Sequence, residues 1–553
     1  MKNLPIGVED YLNAQRLFYV DKTLLIRDVI DFGMYKSLLF TRPRRFGKSL
    51  NLSMLEYYFT NSGEYGYAFE GKKISGAGEK YREHLNRYPV IRINLKDVYS
   101  PTFAGMSLLI KQIISEQYIR FNVLESSDKL TEYEKDEYRK VASMAVEDVD
   151  YYVTSIQRLS SCLFKHFGER VVILIDEYDA PIEQAFEFGY YEEALLFFKR
   201  FYSHSIKGNG NALLSVITGV LEVSKESLYS GFNNPVVASV YSDDFTEYFG
   251  FTADEVRMLL DSFGVDADIG EIRRYYGGYG NGKVEVFNPW SVLNYINEET
   301  YKAYWTNTGT TSLLSKVINN IGLGGEESFA EYINSDSPVA LDPSINFQDL
   351  DDLNAVYSYL VQLGYLVARR ESFDRYRIRI PNAEIRSIFE KEIIGRNARR
   401  GPMPAAQRLR EALESADVDG ISEVLETYIL DSYSYYDLRD EKDYQNIITG
   451  ILSVVFDDYV TKSEVNSKSG RCDIMISPKR RNDLGIVLEI KRYGNSISRK
   501  RLEGYAAAAL GQIKGNAYYS ELIRRDCDRI LLYGFAFDAN KVAVQSEEVG
   551  KRG

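Results

Sequence analysis

The chain has 553 residues, 45% of them hydrophobic and 27% charged, with a formal net charge of −13. That length and balance predict two to four soluble globular domains, each long enough to bury a core. The acidic excess excludes a protein that coats nucleic acid indiscriminately, while leaving room for a local basic groove.

No apolar run approaches the ~18–20 residues of a membrane-spanning helix, so no membrane partner is expected. The first residues, Met1 to Gly7, lack the apolar core of a signal peptide. Cys162, Cys472 and Cys527 are scattered without metal-ligand spacing, which fits reduced thiols in a cytoplasm. His84, His166 and His204 are too few and too dispersed for a histidine-based metal site.

In chain order, Phe18-Tyr19-Val20-Asp21-Lys22-Thr23 ends in a helix start, with Asp21 or Thr23 capping a segment that runs through Asp31. Lys36 to Leu50 then reads as an apolar strand, a basic turn and Gly47-Lys48-Ser49 opening a helix. That order suits a phosphate-binding loop, because backbone N–H groups and the helix dipole both point at an anion. Lys48 is placed to reach the β- and γ-phosphates, and the Ser49 hydroxyl to ligate Mg²⁺. In the pattern G-x-x-x-x-G-K-S/T the first glycine falls on Arg42. The close turn must therefore be made differently, and Arg44 and Arg45 are placed to add charge at the phosphates.

Pro89 to Leu95 alternates like a strand. Residues 103–169 read mainly as helices, and the charged span from Glu125 to Lys140 as solvated helix surface. Val171 to Ile175 is a β-branched apolar run, expected to be a central strand buried on both faces, and it ends in Asp176 and Glu177. Carboxylates at that end lie where ligands of open α/β sheets sit. Asp176 is assigned to Mg²⁺ and Glu177 to polarising the attacking water. The loop and the acidic strand together predict nucleotide hydrolysis.

Arg42-Pro43-Arg44-Arg45-Phe46-Gly47-Lys48-Ser49 resembles the phosphate loop of the bacterial AAA-ATPase-like family. So do Tyr19-Val20-Asp21-Lys22-Thr23 and Ile175-Asp176-Glu177-Tyr178-Asp179. The resemblance runs nearly the whole chain and implies ATP as the nucleotide, an arginine-rich loop as the usual form, and a C-terminal PD-(D/E)XK nuclease-like domain. It also implies that the leading segment lies against the adenine base, with plain packing as the alternative.

Tyr190 to Tyr202 has helical spacing, and Ala212 to Val220 is the next buried strand. Thr218 ends that strand where related ATPases keep a polar sensor; a threonine that satisfies its own turn is the alternative. Lys225-Glu226-Ser227 and Ser230-Gly231-Phe232-Asn233-Asn234 also match the family. Strand–helix alternation with long crossovers predicts a parallel sheet covered on both faces, and the ATPase domain is placed at 1–250.

A helical, winged-helix-like region is expected at 251–402. Tyr275 to Gly282 reads as a turn, and Asn288-Pro289-Trp290-Ser291 as a helix start with Trp290 in the core. Tyr357 to Leu366 ends a helix at Gly364 and enters a strand, with Arg375 to Asn382 as its hairpin partner. DNA reading by this unit and a lid or spacer role are both open. Gly395 to Pro402 reads as a linker.

From 403 to 553 the pattern is helix, hairpin, helix. Glu441 opens an apolar helix to about Tyr459, and Arg471 to Ile476 is a strand. Pro478 to Asp483 turns, Leu484 to Lys491 returns, and Leu502 to Tyr519 is a helix. Period two puts Glu489 and Lys491 on one face, with Asp473 on the paired strand. This is the D…E-x-K constellation of the PD-(D/E)XK nucleases, in which two carboxylates serve Mg²⁺ and a cation serves the attacking water. Asp473, Glu489 and the Ile490 carbonyl are assigned to the metal, and Lys491 to hydroxide. Glu441 and Gln512 match accessory positions. Arg492, Arg499, Lys500 and Arg501 offer local charge for a phosphate backbone.

The fold class read from the sequence is therefore α/β, with a P-loop NTPase sheet, a helical middle and an α/β nuclease-type domain. An ATP-dependent, Mg²⁺-using enzyme acting on DNA or RNA is the first reading. An ATP-driven switch that binds nucleic acid or a partner without cutting is the second. No arginine finger is identifiable, so oligomerisation is left open.

Overall fold

The computed structural model describes residues 3–33, 36–223, 235–305, 338–350, 352–388, 405–428, 441–456, 459–467, 470–478, 484–493, 497–525, 527–538 and 541–550. Lys225–Ser227, Ser230–Asn234, the 395–402 linker and residues 479–483 of the polar turn lie outside the described residues. The chain divides into two compact units, Met1–Arg386 and Ser387–Gly553.

Among the described residues the first unit holds five parallel strands: β1 (Ser37–Thr41), β2 (Val90–Asn94), β3 (Val171–Asp176), β4 (Ala212–Gly219) and β5 (Val236–Ala238). Their order in the sheet is β2-β3-β4-β1-β5. Every residue of β1 and β3 is buried. Burial on both faces is why these strands read as unbroken apolar runs and not as alternation. Helices Lys48–Phe59, Phe103–Arg120, Ser155–Phe167 and Tyr191–Tyr202 lie in the connections between strands. In register, Thr41 pairs with Gly219 and Asn94 with Asp176. The loop after β1, the acids ending β3 and the end of β4 thus meet at one rim, where ligands of open parallel sheets bind.

Helices Ala253–Phe263, Ile269–Tyr276 and Pro289–Glu298 build a second core around Val256, Leu259, Ile272, Phe287 and Ile296, joined by Leu4 and Val20 of the leading segment. Helix Leu353–Leu363 then leads into a hairpin of β7 (Val367–Arg370) and β8 (Arg375–Arg379), with β6 (Val339–Ala340) on the other edge of β8. This is the helix-and-hairpin order expected from the sequence. From Val356 to Leu363 the helix is buried at every position. Gly364 closes it with φ of 87°, and a Cβ there would meet Pro43 at 2.8 Å, so the helix end sits directly on the phosphate loop.

The second unit has a five-stranded sheet of order β13-β12-β11-β10-β9. Its strands are β9 (Tyr459–Ser467), β10 (Gly470–Pro478), β11 (Leu484–Arg492), β12 (Arg529–Asp538) and β13 (Lys541–Gly550). Only β11 and β12 pair in parallel. The hairpin β10–β11 is the one read from the sequence; β9, β12 and β13 are additional. The helix from Glu441 stops at Val455, and Tyr459 opens β9 instead of ending the helix. The helix expected over Leu502–Tyr519 runs Arg499–Gly515, with Ser498 at the N-cap position and Ala517 turning the chain at φ of 49°. One sheet face packs Ile474, Ile476, Ile486, Leu488 and Ile490 against Tyr444, Ile448 and Leu452. The other packs Met475, Val487 and Leu532 against Leu510 and Ile513. Among the described residues no helix is long and apolar enough to cross a membrane.

Candidate active sites

Gly47 caps the helix Lys48–Phe59 with φ of 82°, a conformation that side chains resist. Arg45 takes φ of 69° just before it. Backbone held in such regions concentrates at ligand sites. Arg42 occupies the place of the missing glycine and supplies the alternative to a tight turn. Its buried guanidinium donates to the carbonyls of Thr41 (3.0 Å), Ala238 (2.6 Å) and Asp244 (3.1 Å). Burial pulls its pKa down to about 10, so it stays charged at neutral pH while fastening the loop to β5 and the segment beyond.

Lys48 is buried, and its Nζ donates to the carbonyls of Arg42 (3.1 Å) and Pro43 (3.3 Å). The same nitrogen stands 3.5 Å from Glu177 Oε1. Arg44 lies 3.7 Å from Glu183 Oε2, and the guanidinium of Arg45 lies 4.4 Å from the ring centroid of Trp290. Both loop arginines border the site and already have partners.

Asp176 is wholly buried at the end of β3. Burial, and then the neighbouring Glu177, push its pKa up; the hydroxyls of Thr218 and Ser49 and the Lys48 ammonium oppose this. Thr218 donates to Asp176 Oδ1. Asp176 Oδ2 is buried with no hydrogen-bond partner among the described residues. A buried, unsatisfied carboxylate oxygen beside a serine hydroxyl is a donor set that suits a hard cation. Glu177 follows at φ of 53°, less buried than Asp176.

Lys48 and Glu177 open onto a cavity of about 720 Å³, within the range of small-molecule sites, while Asp176 and Thr218 lie behind its lining. Gly47, Lys48, Ser49 and Glu177 line it, as do Val8, Tyr19 and Val20 of the leading segment and Phe251, Trp290 and Leu293.

In the second unit, Ile474 pairs with Leu488, so the next step along the hairpin brings Asp473 beside Glu489. Asp473 Oδ2 accepts the backbone N–H of Ile490 at 2.7 Å, and the Asp473 carbonyl accepts from Gln445 Nε2 at 3.0 Å. Glu489 Oε1 accepts from Lys491 Nζ at 2.9 Å and from Gln512 Nε2. Lys491 also reaches Glu441 Oε1 at 3.3 Å. Glu489 is 1% exposed, and its Oε2 has no partner among the described residues. Burial, with Asp473 second, pushes the Glu489 pKa to about 7 while Lys491 opposes the rise. Burial acts to lower the Lys491 pKa, but its hydrogen bond to Glu489 and the surrounding carboxylates carry it upward. Among the described residues no three His, Cys, Asp or Glu side chains converge on one point. A divalent cation here would therefore take Asp473 and Glu489, with backbone carbonyl and water oxygens completing the shell. Arg499, Lys500 and Arg501 lie exposed in the first turn of their helix.

Residues 5–229 match the sequence model of a family described as a predicted AAA-ATPase, and residues 439–547 match that of the PD-(D/E)XK nuclease superfamily. The chain carries an AAA-ATPase-like domain and a PD-(D/E)XK nuclease-superfamily domain. An uncharacterized protein in the vnfD 5' region of Azotobacter chroococcum mcd 1 is 26% identical over 411 residues, 71% of this chain and 70% of that one. The structure of C. elegans PCH-2 aligns over 61% of this chain and 64% of its own, at 12% identity and a TM-score of 0.20, too low to carry an argument.

The first unit also brings to this site residues to which the sequence assigned no role there. Asp179 is buried, and its Oδ2 accepts the backbone N–H groups of Val220 (2.9 Å) and Leu221 (2.6 Å), tying the acidic strand to the end of β4. Burial, then Glu177, push its pKa to about 7. Trp290, expected in the core, packs half-buried against the second core and also lines the cavity. Trp305 Nε1 donates to the Arg44 carbonyl at 3.3 Å. Both tryptophans of the chain therefore touch the phosphate loop, a relationship that only the tertiary structure creates.

Proposed function

We propose that this protein binds and hydrolyses ATP in its first unit and cleaves nucleic-acid phosphodiesters in its second, with nucleotide state governing cleavage. The observation that carries the reading is the recurrence, in both units, of a lysine paired to a carboxylate beside a buried carboxylate oxygen that has no hydrogen-bond partner among the described residues: Lys48–Glu177 with Asp176 Oδ2, and Lys491–Glu489 with Glu489 Oε2. The two family matches support the same assignment.

In the first unit, Lys48 leaves Glu177 for the β- and γ-phosphates, which frees Glu177 to take the proton of the attacking water. Thr218, hydrogen-bonded to Asp176, orients that water. Ser49 and Asp176 would hold Mg²⁺ there, and Asp473 and Glu489 would hold it in the second unit. When bound, the ion supplies positive charge against phosphate oxygens. In the second unit Lys491 faces the nucleophile and stabilises charge on the phosphorane. Gln512 fixes Glu489, and Glu441 fixes Lys491.

The test is a cleavage assay on single- and double-stranded DNA and RNA, with and without ATP and Mg²⁺. Cleavage that needs both is expected. No cleavage of any substrate with ATP and either Mg²⁺ or Mn²⁺ overturns the nuclease half, and no ATP turnover overturns the first half.

A further inference from the structure

We propose that the hairpin β7–β8 is a nucleic-acid contact, its arginine face taking the phosphate backbone and its tip pressing an aromatic ring against a base. In the hairpin register Arg369 stands opposite Arg377 and Val367 opposite Arg379. Arg369, Arg375, Arg377 and Arg379 therefore share one face, while Tyr376 and Ile378 turn inward, Tyr376 onto Tyr241 at 5.5 Å. Two guanidiniums directly opposite one another cost stability. Only part of that charge is answered among the described residues. Glu371 pairs with Arg377 at 2.6 Å, and Arg379 donates to the carbonyls of Gly278 (2.8 Å) and Pro381 (3.1 Å). Arg369 and Arg375 are exposed and have no side-chain hydrogen bond or ion pair among the described residues.

Arg370 donates to the carbonyls of Ser372 (3.1 Å) and Phe373 (2.9 Å), which fixes the turn. Phe373 at that turn is 87% exposed, the highest value of any large apolar side chain among the described residues. Charged side chains alone would fit a guarded edge strand, but a protruding phenyl ring works against that purpose. Guanidiniums beside an exposed ring match the demands of nucleic acid, with arginine on phosphate and an apolar wedge or stacking platform on a base. The helix before the hairpin is buried at every position from Val356 to Leu363 and offers no long face to a groove, so the hairpin itself is the contact. An anionic lipid surface would suit similar chemistry; the choice of nucleic acid rests on the proposed action of this protein on phosphodiesters.

The experiment is fluorescence anisotropy of labelled single- and double-stranded oligonucleotides with the full chain, in EDTA so that nothing is cut. The parent is expected to bind with a steep salt dependence. Arg369→Ala/Arg375→Ala should lower the slope of log K against log salt on duplex by about two. Phe373→Ala should weaken binding severalfold with the slope retained. Neither variant should unfold at a lower temperature than the parent, because the side chains removed are exposed. The proposal is overturned if the parent binds no oligonucleotide, or if both variants bind as the parent does. It is also overturned if they lose binding only to vesicles of equal phosphatidylserine and phosphatidylcholine. Because binding is read without turnover, a chain that binds here yet cuts nothing removes the nuclease reading and leaves this one standing.

Discussion

Lys48 Nζ stands 3.5 Å from Glu177 Oε1, so the cation meant for phosphate and the base meant for water neutralise one another. Binding and turnover can then be separated by mutation. Glu177→Gln is expected to bind ATP at least as tightly as the parent, because Lys48 is released, while hydrolysis falls by about 10²–10⁴. Lys48→Ala is expected to lose tight ATP binding altogether. Calorimetric titration with ATP and a phosphate-release assay check both, and Glu177→Gln turning over at the parent rate would remove Glu177 from its role.

The phosphate loop also carries its own optical reporter. The chain has two tryptophans, one under the guanidinium of Arg45 and one hydrogen-bonded to the Arg44 carbonyl. A triphosphate competes for Arg45, since a phosphate oxygen offers a charge-assisted hydrogen bond where the indole offers about 0.5–2 kcal/mol. ATP is therefore expected to change intrinsic fluorescence, with most of the change lost in Trp290→Phe and retained in Trp305→Phe. An equal response from all three proteins would show that Arg45 stays on Trp290.

How far these features were legible in the sequence depends on whether the signal is local. Strands β1, β3 and β4 announced themselves as apolar runs because they are buried on both faces, and Gly47-Lys48-Ser49 because a helix start is written in adjacent residues. The pairing of Glu489 with Lys491 followed from period two alone. Strand β5 has three residues, too few to carry a period. Strands β12 and β13 are long and went unread, although Ile530 to Phe537 is an apolar run as continuous as β3. Arg42 looked like a defect in the loop; its compensation lies with Ala238 and Asp244, about two hundred residues away, which no spacing rule reaches.

Glu384 ties the cavity helix to the segment bearing Trp305, and it should impose a pH dependence on stability. Its carboxylate accepts from Ser291 Oγ (2.8 Å) and from the backbone N–H groups of Tyr304 (2.7 Å) and Trp305 (2.9 Å). Burial nevertheless pushes its pKa to about 7. The folded state thus holds a proton that the unfolded chain releases above its ordinary pKa near 4.5. The stability this gives is complete below about pH 4.5, declines as pH rises towards 7 and is gone above it. Asp176, Asp179 and Glu183 are raised in the same direction, so the informative quantity is a difference. Between pH 5 and pH 8, urea unfolding of Glu384→Gln should lose less stability than the parent, by up to about 3 kcal/mol. Identical pH profiles would mean that Glu384 does not change protonation on folding.

In the second unit the three central residues should fail in distinguishable ways. Asp473 spends one oxygen on the Ile490 N–H, and Glu489 spends one on Lys491 and Gln512. Glu489 Oε2 has no hydrogen-bond partner among the described residues and Asp473 is the acid beside it, whereas Lys491 has no oxygen to give a cation. Asp473→Ala and Glu489→Ala are expected to lose both nucleic-acid cleavage and Mn²⁺ binding. Lys491→Ala is expected to lose cleavage while still binding Mn²⁺, because it removes charge at the nucleophile and no ligand. Gln512→Ala leaves both acids in place but frees Glu489 to rotate, so cleavage should fall by less than in Glu489→Ala. All four should hydrolyse ATP at the parent rate, since that chemistry draws on Lys48, Asp176 and Glu177. Mn²⁺ binding followed by electron paramagnetic resonance, beside a cleavage time course, separates these outcomes. Loss of Mn²⁺ binding in Lys491→Ala would make it a residue that organises the acids. Unchanged cleavage across the set would place the activity elsewhere in the chain.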